Sequence, residues 1–158
     1  MLCRNRSDTV LLTRGVLHLM SQSLLRDADY RPLADFRFGL RKFLRFSKEF
    51  LVAEAKLTPE QYEALLAIKA FPGKNGLLIG ELSHRLQVKH HTAVSLAEKL
   101  VRRKLVARKR GTADRRRVYL RLTDSGATLL ARLASRHRRE LRGLTDELIA
   151  ALRAVKRS

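Results

Sequence analysis

Residues 79–122 read IGELSHRLQVKHHTAVSLAEKLVRRKLVARKRGTADRRRVYLRL, and their pattern decides the fold. A short helix is expected over about Ile79 to Leu86, with Leu82 and Leu86 as its buried pair. After Gln87-Val88 a second helix runs from about His90 to Arg103. Val94, Ala97, Leu100 and Val101 point inward on it, leaving Thr92, Ser95, Lys99, Arg102 and Arg103 for solvent or a ligand. The period then drops to two. Leu105 to Arg110 and Arg117 to Leu122 read as strands, with Val118, Leu120 and Leu122 alternating with Tyr119 and Arg121. Between them Gly111-Thr112-Ala113-Asp114-Arg115-Arg116 forms a basic hairpin tip. Two short consecutive helices followed by a two-stranded hairpin make a winged helix-turn-helix.

Working outward, Thr58-Pro59-Glu60-Gln61 carries several helix-start signals at once. Thr58 can cap, Pro59 has no N–H to leave unpaired at the first position, and Gln61 completes a capping box. The apolar face behind it is Tyr62, Leu65, Leu66, Ile68 and Phe71, and Pro72-Gly73 ends it. Further upstream, a helix is expected from Leu33, with Phe36, Leu40, Phe43, Ser47 and Phe50 in a heptad-like seam opposite Arg37, Arg41, Arg45 and Lys48. Downstream, Thr123-Asp124 starts a helical region in which Leu130, Leu133, His137, Leu141, Leu144, Leu148, Leu152 and Val155 recur at three- and four-residue steps. Gly143 is the expected break between two helices there. The fold class is mainly α with a small β-hairpin wing (α+β). Residues 1–32 form an N-terminal extension, in which Met20 is an alternative start to Met1. Residues 33–158 form the domain, with the winged helix-turn-helix at about 57–123 and flanking amphipathic helices at about 33–56 and 124–156. Those helices carry more apolar stripe than one small domain covers, so they are expected to dimerise, through Phe36, Leu40, Leu141, Leu144, Leu148 and Leu152.

Charge narrows the function. The 158 residues hold 34 Lys and Arg against 15 Asp and Glu, a formal net charge of +19. From His84 to Arg121 thirteen Lys or Arg face two acids, Glu98 and Asp114, a local surplus of eleven. A merely solvated surface intersperses its signs, whereas a phosphate-binding one concentrates cations that displace condensed counterions. Cys3 is the only cysteine, which rules out an intrachain disulfide and a cysteine zinc cluster. The apolar run Val10 to Met20 is broken by Arg14 and has no cleavage pattern, so neither a leader nor a membrane span is expected. The five histidines (18, 84, 90, 91 and 137) lack a metal-ligand arrangement; no metal and no cofactor is expected. No carboxylate pair, nucleophile-plus-base set or Gly-rich phosphate loop points to an enzyme.

From about Leu33 to Leu152 the chain resembles the MarR family of bacterial transcriptional regulators. The strongest part of the resemblance is Asp114-Arg115-Arg116-Arg117-Val118-Tyr119-Leu120-Arg121-Leu122-Thr123-Asp124-Ser125-Gly126, similar to the family's wing signature. Leu57-Thr58-Pro59-Glu60-Gln61-Tyr62, Ile79-Gly80-Glu81-Leu82-Ser83 and His90-His91-Thr92-Ala93-Val94-Ser95 agree in order. Three positions depart. Lys104 stands where the family has Gly, Leu78 where it has a capping Thr, and Lys89 where it has a capping Ser.

The resemblance implies a cytoplasmic, nucleoid-associated homodimer that binds double-stranded DNA at a palindromic operator, as a ligand-responsive repressor. Lys89, His90, His91, Thr92, Ser95 and Lys99 would be the recognition-helix contacts, where hydroxyls and imidazoles meet base edges. Asp114 would orient Arg116, with Arg115 or Arg116 entering the minor groove. Lys109, Arg110 and Arg117 would contact phosphates. Arg41, Arg45 and Tyr62 are the candidates for a pocket that takes a small aromatic or anionic effector, against a plain solvated basic face. Cys3 lies far from the position of the family's peroxide-sensing cysteine. The rival reading is a nonspecific basic nucleic-acid-binding protein of chromosome or ribosome.

Overall fold

The computed structural model describes residues 25–73, 75–111 and 117–157. Among them lie α1 (Asp27–Ala55), α2 (Pro59–Ala70), β1 (Leu77–Leu78), α3 (Ile79–Leu86), α4 (His90–Arg102), β2 (Val106–Arg110), β3 (Val118–Leu122) and α5 (Asp124–Arg157). They fall into two compact units: Arg41–Thr145, and the described residues up to Leu40 together with those from Asp146 onward. The hairpin tip Thr112 to Arg116, the segment through Leu24, and Cys3 and His18 within it, lie outside the described residues.

In the unit Arg41–Thr145 the core is built from Leu51, Leu57, Leu65, Leu77, Leu82, Leu100, Val106, Leu120 and Leu133, all essentially inaccessible. Each such side chain contributes about 1.5–3 kcal/mol through burial. The sheet order is β1-β3-β2, antiparallel throughout. β2 and β3 pair from Val106↔Leu122 to Arg110↔Val118, matching the expected hairpin. β1 has no sequence signal, being two residues long and finding its partners Leu120 and Tyr119 more than forty positions away.

The capping box of α2 forms as expected: Gln61 N donates to Thr58 Oγ1 at 3.3 Å, and Thr58 N to Gln61 Oε1 at 3.0 Å. The helix buries Tyr62, Leu65 and Ile68, and also Ala64 and Ala67. Leu66 and Phe71, expected on the apolar face, are 37% and 46% exposed. They lie outside the arc that the core covers. On α4 the buried residues are Ala93, Leu96, Ala97 and Leu100, with Val94 and Val101 half-buried. At the two departures, Leu78 and Lys89, neither side chain caps its helix. Glu81 compensates at α3 by accepting the Leu78 N–H at 2.9 Å.

Two boundaries differ from expectation. α1 starts at Asp27, before Pro32, because Asp29 accepts the Arg26 N–H at 2.9 Å and its guanidinium at 3.4 Å. That cap sets the helix start, and Pro32, inside the helix, both forgoes its own bond one turn back and crowds the carbonyl there. α5 runs unbroken through Gly143. A single glycine costs a helix about 1 kcal/mol, less than the apolar face around it supplies.

In the second unit, Gly39 lies close against Leu148, where a Cβ would come within 2.9 Å of Leu148 Cδ2. A shallow cavity of about 510 Å³ is lined there by Pro32, Phe38, Ala150, Ala151 and Ala154 among others. No helix among the described residues is long and apolar enough to cross a membrane.

Candidate nucleic-acid interface

α4 presents one polar edge because its other edge is fixed in the core. Lys89, His90, His91, Ser95 and Lys99 are exposed, and Thr92 is half-buried at the first turn. The opening N–H groups of a helix have no intrahelical acceptors. With Lys89 providing no cap, this end offers both donors and positive dipole potential.

The hairpin adds cations for a geometric reason. Cross-strand partners share a face, so Val106, Leu120 and Leu122, which pack on the core, lie on the same face as the exposed Arg108. Beyond the core's edge the same face continues as Arg110 and Val118. Arg108 turns to Glu98 of α4, with Nη2–Oε1 at 3.6 Å, which ties the strand to the helix. Lys109 and Arg110 are exposed, as is Arg117, whose carbonyl accepts the Gly111 N–H at 2.9 Å. Arg121 reaches the Asn75 carbonyl from the other side at 2.8 Å. The structure therefore brings Lys89, the five α4 residues and Lys109, Arg110 and Arg117 onto one sub-domain; Asp114, Arg115 and Arg116 lie outside the described residues.

A second feature is a cavity of about 430 Å³ within the same unit, lined by α1, α2 and α5 side chains that include Ser47, Lys48, Tyr62, Glu63 and His137. His137 is 4% exposed. Its Nδ1 lies 2.9 Å from the Leu133 carbonyl, which can only accept, so Nδ1 carries a proton. Ser47 Oγ hydrogen-bonds the other ring nitrogen, Nε2, at 2.9 Å. Tyr62 stacks on the imidazole at 4.4 Å between centroids, and Phe43, Phe46 and Phe50 meet it edge-on at 6.0, 5.8 and 5.4 Å. His137 is thus satisfied within its own chain.

Burial pushes the Tyr62 phenol above its ordinary pKa. It likewise raises the Glu63 carboxyl, helped by the neighbouring charge of Glu60. The Thr58 hydroxyl beside Glu60 holds that carboxyl below the usual range. Of the sequence-derived pocket candidates, Tyr62 lines this cavity, whereas Arg41 and Arg45 are exposed and do not. In the sequence Ser47 belongs to one apolar seam and His137 to another stripe, and their 90-residue separation gives no sign of the pair. Among the described residues no group of three or more His, Cys, Asp or Glu is placed to hold a metal ion.

The expected dimerisation residues differ in what they offer a partner. Leu152 is 50% exposed, Leu141 41% and Leu40 39%; Phe36 and Leu148 are half-buried, and Leu144 is already covered within the chain.

A helix-turn-helix with a paired basic hairpin and a short third strand defines a winged helix-turn-helix protein. Residues 55–117 match the MarR family model. It is 32% identical over 106 residues to the HTH-type transcriptional repressor MdtR of Bacillus subtilis, a match covering 65% of each chain and so just under two thirds of that relative. Among solved structures it is similar to the MepR–DNA complex of Staphylococcus aureus, at 26% identity and a TM-score of 0.63, covering 72% of this chain and 81% of that one. AbsC, a MarR family transcriptional regulator from Streptomyces coelicolor, shares the fold at 19% identity and a TM-score of 0.68, covering 80% of this chain and 84% of that one.

Proposed function

We propose that this chain is a sequence-specific double-stranded DNA-binding transcriptional regulator, a ligand-responsive repressor rather than an enzyme, working in the cytoplasm on the nucleoid as a homodimer at a palindromic operator. The observation that carries the reading is the uncapped first turn of α4, exposing Lys89, His90 and His91, together with the exposed hairpin cations Lys109 and Arg110. All five are cations or bear N–H donors suited to phosphate and to guanine edges, and a helix start favours the same anions. Two of the similar proteins, a transcriptional repressor and a protein in complex with DNA, agree with this reading.

In this reading His90, His91, Thr92 and Ser95 meet bases in the major groove, and Lys89, Lys99, Lys109, Arg110 and Arg117 meet phosphates. Arg115 and Arg116, with Asp114 orienting the latter, are assigned to the minor groove. The effector, a small aromatic or anionic molecule, sits in the Tyr62 cavity with Lys48 near its carboxylate and Tyr62 against its ring. Arg41 and Arg45 contribute field rather than contact.

Selection of bound fragments from random duplexes tests the central claim. One enriched palindrome, with half-sites about 10 base pairs apart, is expected, and bulk DNA should compete for it poorly. Equal affinity for all duplexes would establish the nonspecific basic protein instead. Replacing His91 or Thr92 by alanine should change which sequences are enriched. Lys109→Ala should weaken all sequences alike and make the salt slope shallower by about one.

A further inference from the structure

α1 reaches its C-terminus with no basic residue in its last turn. The last carbonyls of a helix carry partial negative charge and have no intrahelical donors. Here the chain also turns away at once, through Lys56 at φ +48°. The missing cation comes from Arg103, the C-cap residue of α4, 47 positions from Lys56. Its Nη2 donates to the Ala55 carbonyl at 2.6 Å and its Nη1 to the Lys56 carbonyl at 2.8 Å. A planar guanidinium across two adjacent carbonyls fixes an angle as well as a distance.

The next residue is fastened to a different helix. The Lys104 carbonyl accepts from Thr123 Oγ1 at 2.7 Å and from Ser125 Oγ at 3.0 Å, at the start of α5. Arg132 of α5 in turn holds Glu54 in the last turn of α1 at 2.9 Å. Two consecutive residues at the exit of α4 are therefore held by α1 and α5, the helices that carry Ser47 and His137. The far end of α4 carries His90 and His91. A helix of 13 residues is about 20 Å long, so a 5° tilt about its held end displaces the other by roughly 2 Å, enough to break a base contact.

We propose that Arg103 is the positioning residue of the recognition helix: its fork sets the angle of α4 against the end of α1 and couples that angle to the cavity walls. This rests on the DNA-reading role given to α4 above.

The test compares the full chain with Arg103→Ala and Arg103→Lys. Each binds the selected operator and a scrambled duplex of equal length across a salt series, well below its unfolding temperature. Arg103→Ala should lower the preference for operator over scrambled duplex by about tenfold. Affinity for the scrambled duplex, and its salt slope, should stay at the wild-type level. Arg103→Lys keeps the charge without the fork and should recover only part of the preference. An unchanged preference despite a lower unfolding temperature would reduce Arg103 to a brace and overturn the proposal. So would both affinities falling together with a salt slope shallower by about one, the signature of direct phosphate contact, or full recovery by lysine. Amide exchange in the DNA-free protein is a second readout, and in Arg103→Ala it should quicken at residues 100–105. Unchanged exchange there overturns the clamp itself. A wild-type chain with no preferred sequence would instead defeat the reading of α4, and exchange would still decide the clamp.

Discussion

Lys56, Gln87 and Lys104 follow α1, α3 and α4, and all three have positive φ, at 48°, 52° and 57°. Glycine is the usual residue at such exits, because a Cβ in the left-handed region costs about 1–2 kcal/mol. At Lys104 the turn is a Schellman motif: Leu105 N reaches Leu100 O at 3.0 Å and Lys104 N reaches Val101 O at 2.8 Å. The lysine side chain is exposed, and only its backbone carbonyl is used by Thr123 and Ser125. Lys104→Gly should therefore stabilise the fold, by about 0.5–1 kcal/mol after the added freedom of the unfolded chain is counted. An unfolding midpoint in urea that stays put or falls would contradict the strain. Glu60 and Glu63, one turn apart on α2, should respond to pH with opposite signs. Burial makes folded Glu63 hold its proton more tightly than the unfolded chain does, so its ionised form costs stability at neutral pH. Glu63→Gln should raise the urea midpoint at pH 7, and the gain should vanish as pH falls through the folded-state pKa to where both states are protonated. Glu60 is held low by Thr58, and its contribution is present above the unfolded value and lost as pH falls. Glu60→Gln should thus lower the midpoint at pH 7 and lose that effect in acid.

Among the elements, α5 separates what a sequence pattern announces from what it leaves open. Its stripe of Leu130, Leu133, His137 and Leu144 was readable at three- and four-residue steps, and all four are buried. Gly143 suggested a break because propensity is a local signal, yet the helix continues because packing on either side is not local. A Cβ at Gly143 would meet nothing within 4 Å. Gly143→Ala should accordingly add about 1 kcal/mol and leave DNA affinity unchanged; a loss of stability would mean the glycine serves a kink. Gly126 is the contrasting case, since a Cβ there would collide with the Leu105 carbonyl, where β2 and α5 meet. The same division runs through the candidate site. α4 and the hairpin were legible because the amphipathic period, the switch to alternation and the charge all lie within residues 79–122. Arg103, the Glu98–Arg108 pair and the Ser47–His137 pair were not, because each depends on which distant residue the fold brings near. Arg103 in particular read as one cation among thirteen, and nothing in its neighbours says that its partners are two carbonyls at the end of α1.

For the whole molecule, charge sets two associations against each other. Each chain carries +19, so two copies repel, and the proposed dimer must rest on apolar surface. In the unit that includes residues up to Leu40 and from Asp146, Phe38 is 69% exposed, Tyr30 56% and Leu152 50%, beside the cavity that Phe38, Ala150 and Ala154 line. Clustered exposure of this kind marks an interaction surface more often than scattered apolar residues do. Salt screens the repulsion between copies but weakens the phosphate contacts. Rising salt should therefore tighten the dimer and loosen the DNA complex over the same range, and added DNA should promote dimerisation by neutralising both copies. Phe38→Glu places a buried-to-be charge in the proposed contact and should leave monomers by sedimentation equilibrium. Operator affinity should then fall to that of a single half-site, with the winged domain's circular dichroism unchanged. Wild-type chains that sediment as monomers at every salt concentration, or a Phe38→Glu variant that keeps twice the single-chain mass, would place the dimer surface elsewhere and remove the symmetry argument for a palindrome.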